Sequence, residues 1–402
     1  MHTDTLLDDR IEVSNIPNLD AAPAYVSLGN DSGFPMIRLP SGHDAVHLVG
    51  YSDVLGVLTD GSFARAVCNK EGGPSFLPTI TPDDFLLNLD GQAHARSRRV
   101  INRSFGAALL ERAAPIVDAC IAEAIDTLIE GRCEPNLFVA LLERVPFAVV
   151  ASILGIDEAD RVEFRSLSRY VQIADPSDVP ELLHRFDLLY SFVARLTTAA
   201  RADPKTAFLQ DFFLRSRDAD PPLRDHEATA LLLAIAIGGD QNILTAMTKI
   251  IYALLAAPRL YRRLVNDPEA IPEAIEELIR LIPLGTVSIF PRVATQDFSS
   301  SLGIIPAGSV IYPDAFRANR DPSVFEDARA IDFGRRGARH LQFGYGMHNC
   351  MGAALGRLEI AAVLRALVTR LPNLRLAEDP ATLPWTVGTV LRRPEILPVA
   401  FD

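Results

Sequence analysis

Cysteine is scarce in this chain, with four residues in 402. Cys68, Cys120 and Cys133 stand apart, and none forms the closely spaced pair that is typical of zinc or iron–sulfur sites. The spacing fits no disulfide framework, which indicates a reducing compartment. We therefore interpret these three cysteines as small buried hydrophobic side chains.

Basic residues are fewer than acidic ones, 39 against 51, and long apolar runs are lacking. The net charge of −12 argues against nucleic acid as a partner. The longest apolar run, 228–237, spans roughly ten residues, too few to cross a bilayer. The first ten residues contain neither the basic nor the apolar segment of a secretory signal. We therefore expect a cytoplasmic protein with no membrane span.

Linkers and repeats are absent as well, since no Ser/Gly-rich tract or charge block divides the chain. We expect one domain over 1–402, with a short flexible N-terminal segment over about 1–20. The periodicity predicts a mainly α fold with small β-sheets, including strands near 36–39 and 45–49. The clearest helix is predicted from Asp225 to about Ala257, where Pro258 ends it. Further helices are predicted over 272–281 and 351–371.

The fourth cysteine, Cys350, has different neighbours. It lies in the stretch FGYGMHNCMG at 343–352, where three glycines surround one cysteine. Glycine lets the backbone approach a flat ligand closely. A cysteine just before a helix faces the positive end of the helix dipole, which favours the thiolate. Because cysteine thiolate is one of the known ligands of haem iron, the stretch predicts an iron site at Cys350.

This stretch matches the pattern FGxGx[HR]xCxG at every fixed position, and so resembles the haem-binding loop of the cytochrome P-450 monooxygenases. The resemblance covers essentially the entire chain and is nearest to the soluble bacterial type. It implies the cytochrome P-450 fold, with a long central helix over the haem. It also implies haem b as cofactor and Cys350 as the ligand of its iron. Within the loop, the residues that it assigns to cofactor binding are Phe343, Gly344, His348, Cys350 and Gly352.

Basic residues outside the loop extend the resemblance. His94 and Arg98 lie four residues apart, on one helix face, and match the family's HxxxR motif. Arg292 matches the arginine of its Pro–Arg–Val–Ala strand, and His340 precedes the loop as in the family. The resemblance implies that these residues, with His348, hold the haem propionates, because buried carboxylates require paired donors.

Glu277 and Arg280 match the family's Glu–x–x–Arg motif. Taken alone, the pattern also fits a solvated helix pair worth a few tenths of a kcal/mol. The resemblance implies instead a buried network that includes an arginine of the irregular stretch 317–342, for which Arg335 is the candidate. Such a network would hold the cysteine loop in place.

The long helix departs from the family pattern. Its residues 237–242, IGGDQN, interrupt an apolar run, and two interior glycines cost roughly 2 kcal/mol relative to alanine. Close helix packing would explain the glycines, as would a local opening where a diatomic ligand sits over the iron. The family has Ala/Gly–Gly–x–Asp/Glu–Thr here. Gly238 matches its glycine and Asp240 its acid, whereas Gln241 replaces its threonine.

This replacement leaves the reaction open, although Gly238, Asp240 and Gln241 are expected to be the catalytic residues. Asp240 would connect the pocket with solvent, while the Gln241 amide could fix water but is a poor proton relay. One outcome is ordinary oxygen activation, with Gln241, water or a substrate hydroxyl replacing the threonine. Others are oxidative coupling, desaturation or ring formation, and peroxide-driven or dehydration chemistry.

The resemblance also suggests where a substrate would lie. The predicted walls of the pocket are mostly apolar, although each apolar member fits plain core equally well; they include Phe76, Leu87, Ala234, Ile237, Leu284, Val287, Ile289, Phe290, Val387 and Thr389. A mostly apolar pocket suits a lipophilic small molecule, such as a terpenoid, a polyketide-like compound or a carrier-bound aromatic.

The expected function is therefore a haem-thiolate monooxygenase of natural-product or terpenoid-type metabolism. No GxGxxG fingerprint follows a predicted strand, so electrons are expected from a ferredoxin and its reductase, by family analogy. Arg96, Arg99 and Arg103 are candidate docking contacts, and a monomer is expected. Two rival interpretations are a haem-binding protein without oxygenase activity and a zinc or structural protein that uses Cys350 and His348.

Overall fold

Helices make up most of the fold in this computed structural model, which describes residues 11–20, 23–30, 33–68, 70–76, 83–169, 179–288 and 290–402. The helices are α1 Tyr51–Thr59, α2 Gly91–Ser104, α3 Ala107–Ile129, α4 Arg144–Leu154, α5 Arg161–Ser168, α6 Val179–Ala202, α7 Ala207–Arg217, α8 Asp225–Gly239, α9 Gln241–Ala256, α10 Pro258–Asn266, α11 Ile271–Leu281, α12 Ala315–Ala318 and α13 Ala353–Arg370. The mainly α prediction is confirmed.

The strands are short: β1 Ile11–Glu12, β2 Val26–Gly29, β3 Met36–Arg38, β4 Asp44–Leu48, β5 Phe63–Ala64, β6 Arg292–Ala294, β7 Phe298–Ser300, β8 Gly303–Ile305, β9 Val310–Pro313, β10 Ala330–Ile331, β11 Arg375–Leu376 and β12 Val399–Ala400. The largest sheet has the order β2-β3-β4-β9-β6-β5, in which β4 and β9 run parallel with Val46 opposite Ile311. This order places β6, and with it Arg292, between two strands that are distant in sequence.

The main apolar core lies where α8, α9, α11 and α13 pack together, with fully buried residues such as Leu254, Leu278 and Val363. The run Asp225–Ala256 is long and apolar enough to cross a membrane by length and composition alone. However, 61% of its most apolar window is buried in the protein. A helix that is apolar all round and buried in this way is typical of a protein core.

The predicted single helix from Asp225 to about Ala257 is divided in two, which corrects the expectation of one continuous element. The helix α8 ends at Gly239 and α9 begins at Gln241, while Asp240 between them has φ −98° and ψ −75°. A Cβ added at Gly239 would lie 2.7 Å from Val150 Cγ2, whereas one at Gly238 would meet nothing within 4 Å. Gly239 therefore permits close packing, and Gly238 lies on the open side of the break.

Candidate functional site

A cavity of about 470 Å³ lies between the α8–α9 break and the cysteine loop. Its walls are mainly apolar and come from α8, α9, α11, the connection to β6, the stretch 342–352 and α13. Six of the predicted pocket residues line it: Leu87, Ala234, Ile237, Leu284, Val287 and Phe290. Apolar walls with few polar groups are typical of a site for a lipophilic ligand.

Cys350 lies on the wall of this cavity, together with Phe343, Gly344 and Gly352. The loop is fixed by its own backbone, since Cys350 N donates to Phe343 O at 2.7 Å. Gly344 and Gly346 have φ of 67° and 65°, which favours glycine. A Cβ at Gly346 would also clash with the Leu58 carbonyl group. These constraints hold the sulfur at the cavity rather than in the core.

The electrostatics at Cys350 differ in part from the sequence expectation. Burial raises the pKa of the Cys350 thiol, while the backbone N–H groups of Gly352 and Ala353 and the charges of Arg98 and Arg357 act in the opposite direction. The helix-start donors are thus present, but burial outweighs them in the chain alone. A bound metal cation would reverse this balance, because coordination deprotonates a thiol.

Four of the five predicted propionate partners line the same cavity: His94, Arg98, Arg292 and His348. The rings of His94 and His348 lie 4.1 Å apart. His94 Nε2 is buried without a hydrogen-bond partner among the described residues, whereas His348 Nε2 lies 3.6 Å from Asp90 Oδ1. Arg98 donates to the backbone oxygen of Asn349 at 2.7 Å, which connects α2 to the cysteine loop.

Burial controls the charge of this basic group. It lowers the pKa of His94 to about 3, assisted by the nearby His348 and Arg98, and it lowers that of Arg292 to about 9. Burial alone would raise the pKa of Asp90, but His348 and the backbone N–H groups of Ala66 and Arg65 lower it to about 2. His94, Arg98, Arg292 and His348 therefore provide more cationic and neutral donors than there are acids beside them, as an anion site requires.

The fifth predicted partner, His340, is not on the cavity wall, and the structure corrects this assignment. His340 Nε2 lies 3.3 Å from Glu276 Oε2, and its Nδ1 accepts from Gln342 N at 3.2 Å. Glu276 is also bound by Arg357 from α13. His340 therefore supports the segment just before the cysteine loop from the side opposite the cavity.

Glu277, Arg280 and Arg335 are brought together in the interior, where Glu277 and Arg280 are 4% and 3% exposed. Arg280 donates to both oxygens of Glu277 at 2.8 Å, and Arg335 Nε donates to the same oxygens at 3.0 and 3.1 Å. Arg280 also donates to Asn319 O at 2.6 Å, and Asn319 Oδ1 accepts from Leu341 N at 2.6 Å. The network thus connects α11 to Leu341, two residues before the cysteine loop.

The break in the long helix places two of its polar residues away from the cavity. Asp240 and Gln241 are buried but do not line it. Gln241 Nε2 donates to Asp240 Oδ2 at 2.9 Å, and Ser168 donates to the same oxygen at 3.2 Å. Arg393 donates to Gln241 Oε1 and to Thr245 Oγ1, each at 2.9 Å. Asp240 and Gln241 were expected to be catalytic, and these contacts direct both side chains to partners outside the cavity wall.

Asn242 is the polar residue of the break that lines the cavity, with Gly238 and Gly239. Its Nδ2 donates to Gly238 O at 3.2 Å, one helical turn back. The sequence interpretation put Gln241 in the position of the family threonine, and the structure moves the cavity-facing position one residue along. The double glycine offers two registers for the motif, so the sequence alone did not separate them.

Three predicted wall residues lie elsewhere, and Ile289 falls outside the described residues. Phe76 is 2% exposed and packs on Tyr312 in the sheet. Val387 is 85% exposed at the tip of the C-terminal loop. Thr389 turns its hydroxyl to the backbone oxygen of Leu391. In that loop Val390 and Leu391 form the wall instead, because Thr286 N pairs with Val390 O and turns them inwards.

Two ionisable wall residues were missed by the sequence interpretation: Lys249 of α9 and Glu359 of α13. Burial lowers the pKa of Lys249 to about 7, and its ammonium group donates to Pro283 O. Burial raises the pKa of Glu359, as does its neighbour Asp240. The available signal was a single charged residue on an otherwise apolar helix face.

The residues present fit a haem group. A thiol at the wall, glycines that let the backbone approach, and the buried Nε2 atom of His94, which has no partner among the described residues, form a site for a flat ligand with acidic substituents. Cys350 would hold the iron, and His94, Arg98, Arg292 and His348 would hold the propionates.

Comparison with known proteins agrees with this geometry. Residues 164–394 match the family model for cytochrome P-450. Nocardicin C N-oxygenase of Nocardia uniformis subsp. tsuyamanensis is 32% identical over 95% of this chain and 96% of its own. Mycinamicin IV hydroxylase/epoxidase of Micromonospora griseorubida is 31% identical over 96% of this chain and 97% of its own.

Solved structures show the same fold. A crystal structure of a cytochrome P-450 with biaryl coupling reactivity matches with a TM-score of 0.87 and 27% identity. The match covers 92% of this chain and 94% of that one. The small sheets and the divided long helix thus occur in a chain whose overall fold is shared with a solved cytochrome P-450 structure.

Proposed function

Since the chain belongs to the cytochrome P-450 family of oxygenases, we propose that it is a haem-thiolate monooxygenase that tailors a lipophilic small molecule in natural-product metabolism. The observation that carries the proposal is the position of Cys350. Its sulfur shares one largely apolar cavity with four basic side chains and with the break in the long helix.

Each wall of the cavity has its own part in this function. Haem, when bound, supplies the oxidising chemistry, and the protein supplies binding and orientation. Cys350 would hold the iron from one side, and the basic group would neutralise the propionates. The apolar wall formed by Leu284, Val287 and Leu391 would bind substrate and exclude water. Asn242 offers a polar group that can orient it.

The walls of the cavity and the relatives support the proposed substrate class. Two of the relatives are named for oxidations of nocardicin C and mycinamicin IV. The apolar lining in this chain suits a lipophilic molecule of that general kind, either free or carrier-bound. Such a substrate requires neither a basic patch nor a membrane-facing surface on the protein. We propose that the protein is cytoplasmic and monomeric.

Electrons would come from a ferredoxin and its reductase, docking on the side of the cysteine loop. Tyr345 and Met347 bring that loop to the surface, and Arg99 and Arg103 on α2 are exposed beside it. Arg96 is unsuitable as a contact, because it is bound to Glu227. Arg99→Glu should slow reduction by a ferredoxin, whereas an unchanged rate would contradict this docking side.

The proposal is tested by the optical spectrum of the reduced protein with carbon monoxide. The parent should show the long-wavelength Soret band of thiolate ligation, and Cys350→Ala should lose it. A matched control is Cys68→Ala, which removes a buried cysteine that does not line the cavity. Absence of the band in the folded, haem-loaded parent would refute the function.

A second candidate function is an oxidation other than hydroxylation, such as coupling, desaturation or ring formation. It is favoured by the amide of Asn242 at the cavity, where the family pattern has a hydroxyl group. An amide holds water through hydrogen bonds but does not relay protons as readily as a hydroxyl. Product analysis by mass spectrometry would separate the two, since hydroxylation adds one oxygen atom and desaturation or coupling removes hydrogen.

A further inference from the structure

A fully buried lysine lies on the wall of the cavity, on the face of α9 that continues from the helix break. Asn242, Ala246 and Lys249 follow one another at helical spacing, and all three line the cavity. Seven residues separate Asn242 from Lys249, so the lysine lies roughly 10 Å along the helix from the break. Lysine is almost never fully buried unless it is paired with an acid. The position of Lys249 therefore calls for an anionic partner.

The described part of the chain supplies no such partner. The ammonium group of Lys249 has three N–H donors, and among the described residues its one hydrogen bond is to Pro283 O. The charge of Asp20 favours the ammonium form, but Asp20 is itself bound by Arg320 at 2.6 Å. Lys249 thus keeps unused donors and has no carboxylate of its own within the described residues.

The surroundings of Lys249 are short of negative charge as well as of acceptors. Its Nζ lies 5.7 Å from the centre of the Trp385 ring, and Arg392 lies over the same ring at 4.4 Å. Trp385 Nε1 is buried and also has no acceptor among the described residues. Burial lowers the pKa of Lys249 to about 7, and the charges of Arg392 and Arg320 act in the same direction. An anion bound here would offset these costs.

Lys249 is separate from the four basic residues that are assigned to the haem propionates. It is bonded instead to Pro283, which also lines the cavity and precedes Leu284 directly. Leu284 belongs to the apolar wall that is assigned to substrate. Among the described lining residues, Lys249 is therefore the cation that remains for a substrate once the propionates are bound.

We propose that Lys249 binds the carboxylate of the substrate, and that the substrate is a lipophilic carboxylic acid. This rests on the proposed oxygenase function and makes its substrate class more specific. Lys249 keeps its bond to Pro283 O, which fixes the direction of the ammonium group, and donates a second N–H to a carboxylate oxygen. The apolar part of the acid then lies along Leu284 and Val287 towards the helix break.

The substrate class is tested by isothermal titration calorimetry of the haem-loaded protein with matched acids and methyl esters. Octanoate and laurate form a straight-chain arm and hydrocinnamate an aromatic arm, so the two arms show which apolar part fits. Without a counter-ion in the cavity, the ester should bind more tightly, because the carboxylate loses its hydration. With Lys249 as partner, the acid should bind roughly tenfold more tightly than its ester in at least one arm. If no acid exceeds its ester, the proposal is overturned.

The role of Lys249 is tested by Lys249→Met, which removes the charge and keeps a long unbranched side chain. This variant should bind the acid roughly tenfold more weakly and the ester about as well as the parent does. Lys205→Met is the matched control, because Lys205 is exposed, bound to Asp157 and outside the cavity. It should keep the preference for acids. An undiminished preference in Lys249→Met overturns the proposal.

The pH dependence of binding gives a measure that a merely structural lysine would not change. Because the pKa of unoccupied Lys249 is lowered to about 7, the affinity for the acid should fall as pH rises above that value. The fall should approach about tenfold per pH unit, while the affinity for the ester stays constant. Ionisation of Glu359 on the same wall would also repel an anion, so the parent is compared with Lys249→Met, which should lose most of the fall.

Lys249→Arg decides the matter if Lys249→Met does not fold. Arginine stays charged throughout this pH range, so its affinity for the acid should fall much less than that of the parent. A fall equal to that of the parent overturns the proposal.

The reduced carbon monoxide spectrum separates this proposal from the haem-thiolate function. It is recorded for every variant, together with peroxide formation without substrate, driven by a plant-type ferredoxin and its reductase. An intact thiolate band without any preference for acids would refute the role of Lys249 alone. Absence of the band from the haem-loaded parent would instead refute the oxygenase function on which this role depends.

Discussion

The two sides of the cavity, the cysteine loop 343–352 and the helix break 238–242, differ in how well the sequence motif predicts which residues line the wall. On the cysteine side, pattern and position agree: Phe343, Gly344, Cys350 and Gly352 all line the cavity. On the break side, Gly238 lines it, while Asp240 and Gln241 are turned away and Asn242 is turned in. The difference lies in how each backbone directs its side chains.

A loop fixed by positive φ angles has few ways to present its residues, because glycine is needed at particular places. A helix end has more freedom. Side-chain directions change by about 100° per residue in a helix, so a one-residue change in where α9 begins exchanges Gln241 for Asn242 at the cavity. In a glycine-fixed loop, matching a residue to the family motif also predicts which way its side chain points. At a helix break, the same match predicts the side-chain direction only if the first residue of the new helix is known.

The largest effect is expected on the cysteine side, at Glu277. Glu277→Ala leaves the buried Arg280 without its carboxylate and frees Arg335 from the same oxygens. Removing one member of a buried ion pair typically lowers the free energy of unfolding by about 3–5 kcal/mol. Denaturant unfolding would measure the loss, with Glu273→Ala as a control on the exposed side of α11. A loss no greater than that of the control would show that the network does not hold the loop.

On the break side, the register itself can be tested by comparing Gln241→Leu with Asn242→Leu. Gln241→Leu leaves Arg393 and Asp240 without a shared partner and should destabilise the fold by about 1–3 kcal/mol. Asn242→Leu loses a single bond to Gly238 O and should cost less stability, but it should alter peroxide formation more. Thermal unfolding and oxidase assays would measure the two. If Gln241→Leu altered peroxide formation more than Asn242→Leu did, Gln241 rather than Asn242 would be the residue that faces the cavity.

A pH effect of intermediate size is expected from Glu359. Its raised pKa means that the folded protein keeps a proton that the unfolded chain releases above the ordinary glutamate value. Stability should therefore fall as pH rises from that value towards the folded pKa, by up to about 1.4 kcal/mol per pH unit. In Glu359→Gln the slope should be smaller, as measured by unfolding at a series of pH values. An unchanged slope would place the titration elsewhere.

Particular residues show how far the sequence could lead. Helix periodicity predicted α11 and α13 to within two residues, because each helix has a regular apolar face and a proline, Pro283 or Pro372, soon after its last residue. The division at Asp240 needed the glycines to be read together with the packing of Val150. Glu359 could not be recognised as a wall residue, because its place depends on how α13 packs against α9. Nor could Phe76 be assigned to the sheet, since its partner Tyr312 is distant in sequence.

The smallest effect on stability and activity is expected at the tip of the C-terminal loop that contains Val387. Val387 is exposed at the tip of that loop, while Leu391 lies on the wall. Val387→Ser should change stability by no more than about 0.5 kcal/mol and leave peroxide formation unaltered. Leu391→Ser, its matched partner, should cost more, because it places a hydroxyl group in an apolar wall. Unfolding and oxidase assays on the pair would measure this. An effect of Val387→Ser equal to that of Leu391→Ser would mean that the loop closes over the cavity and that its tip belongs to the wall after all.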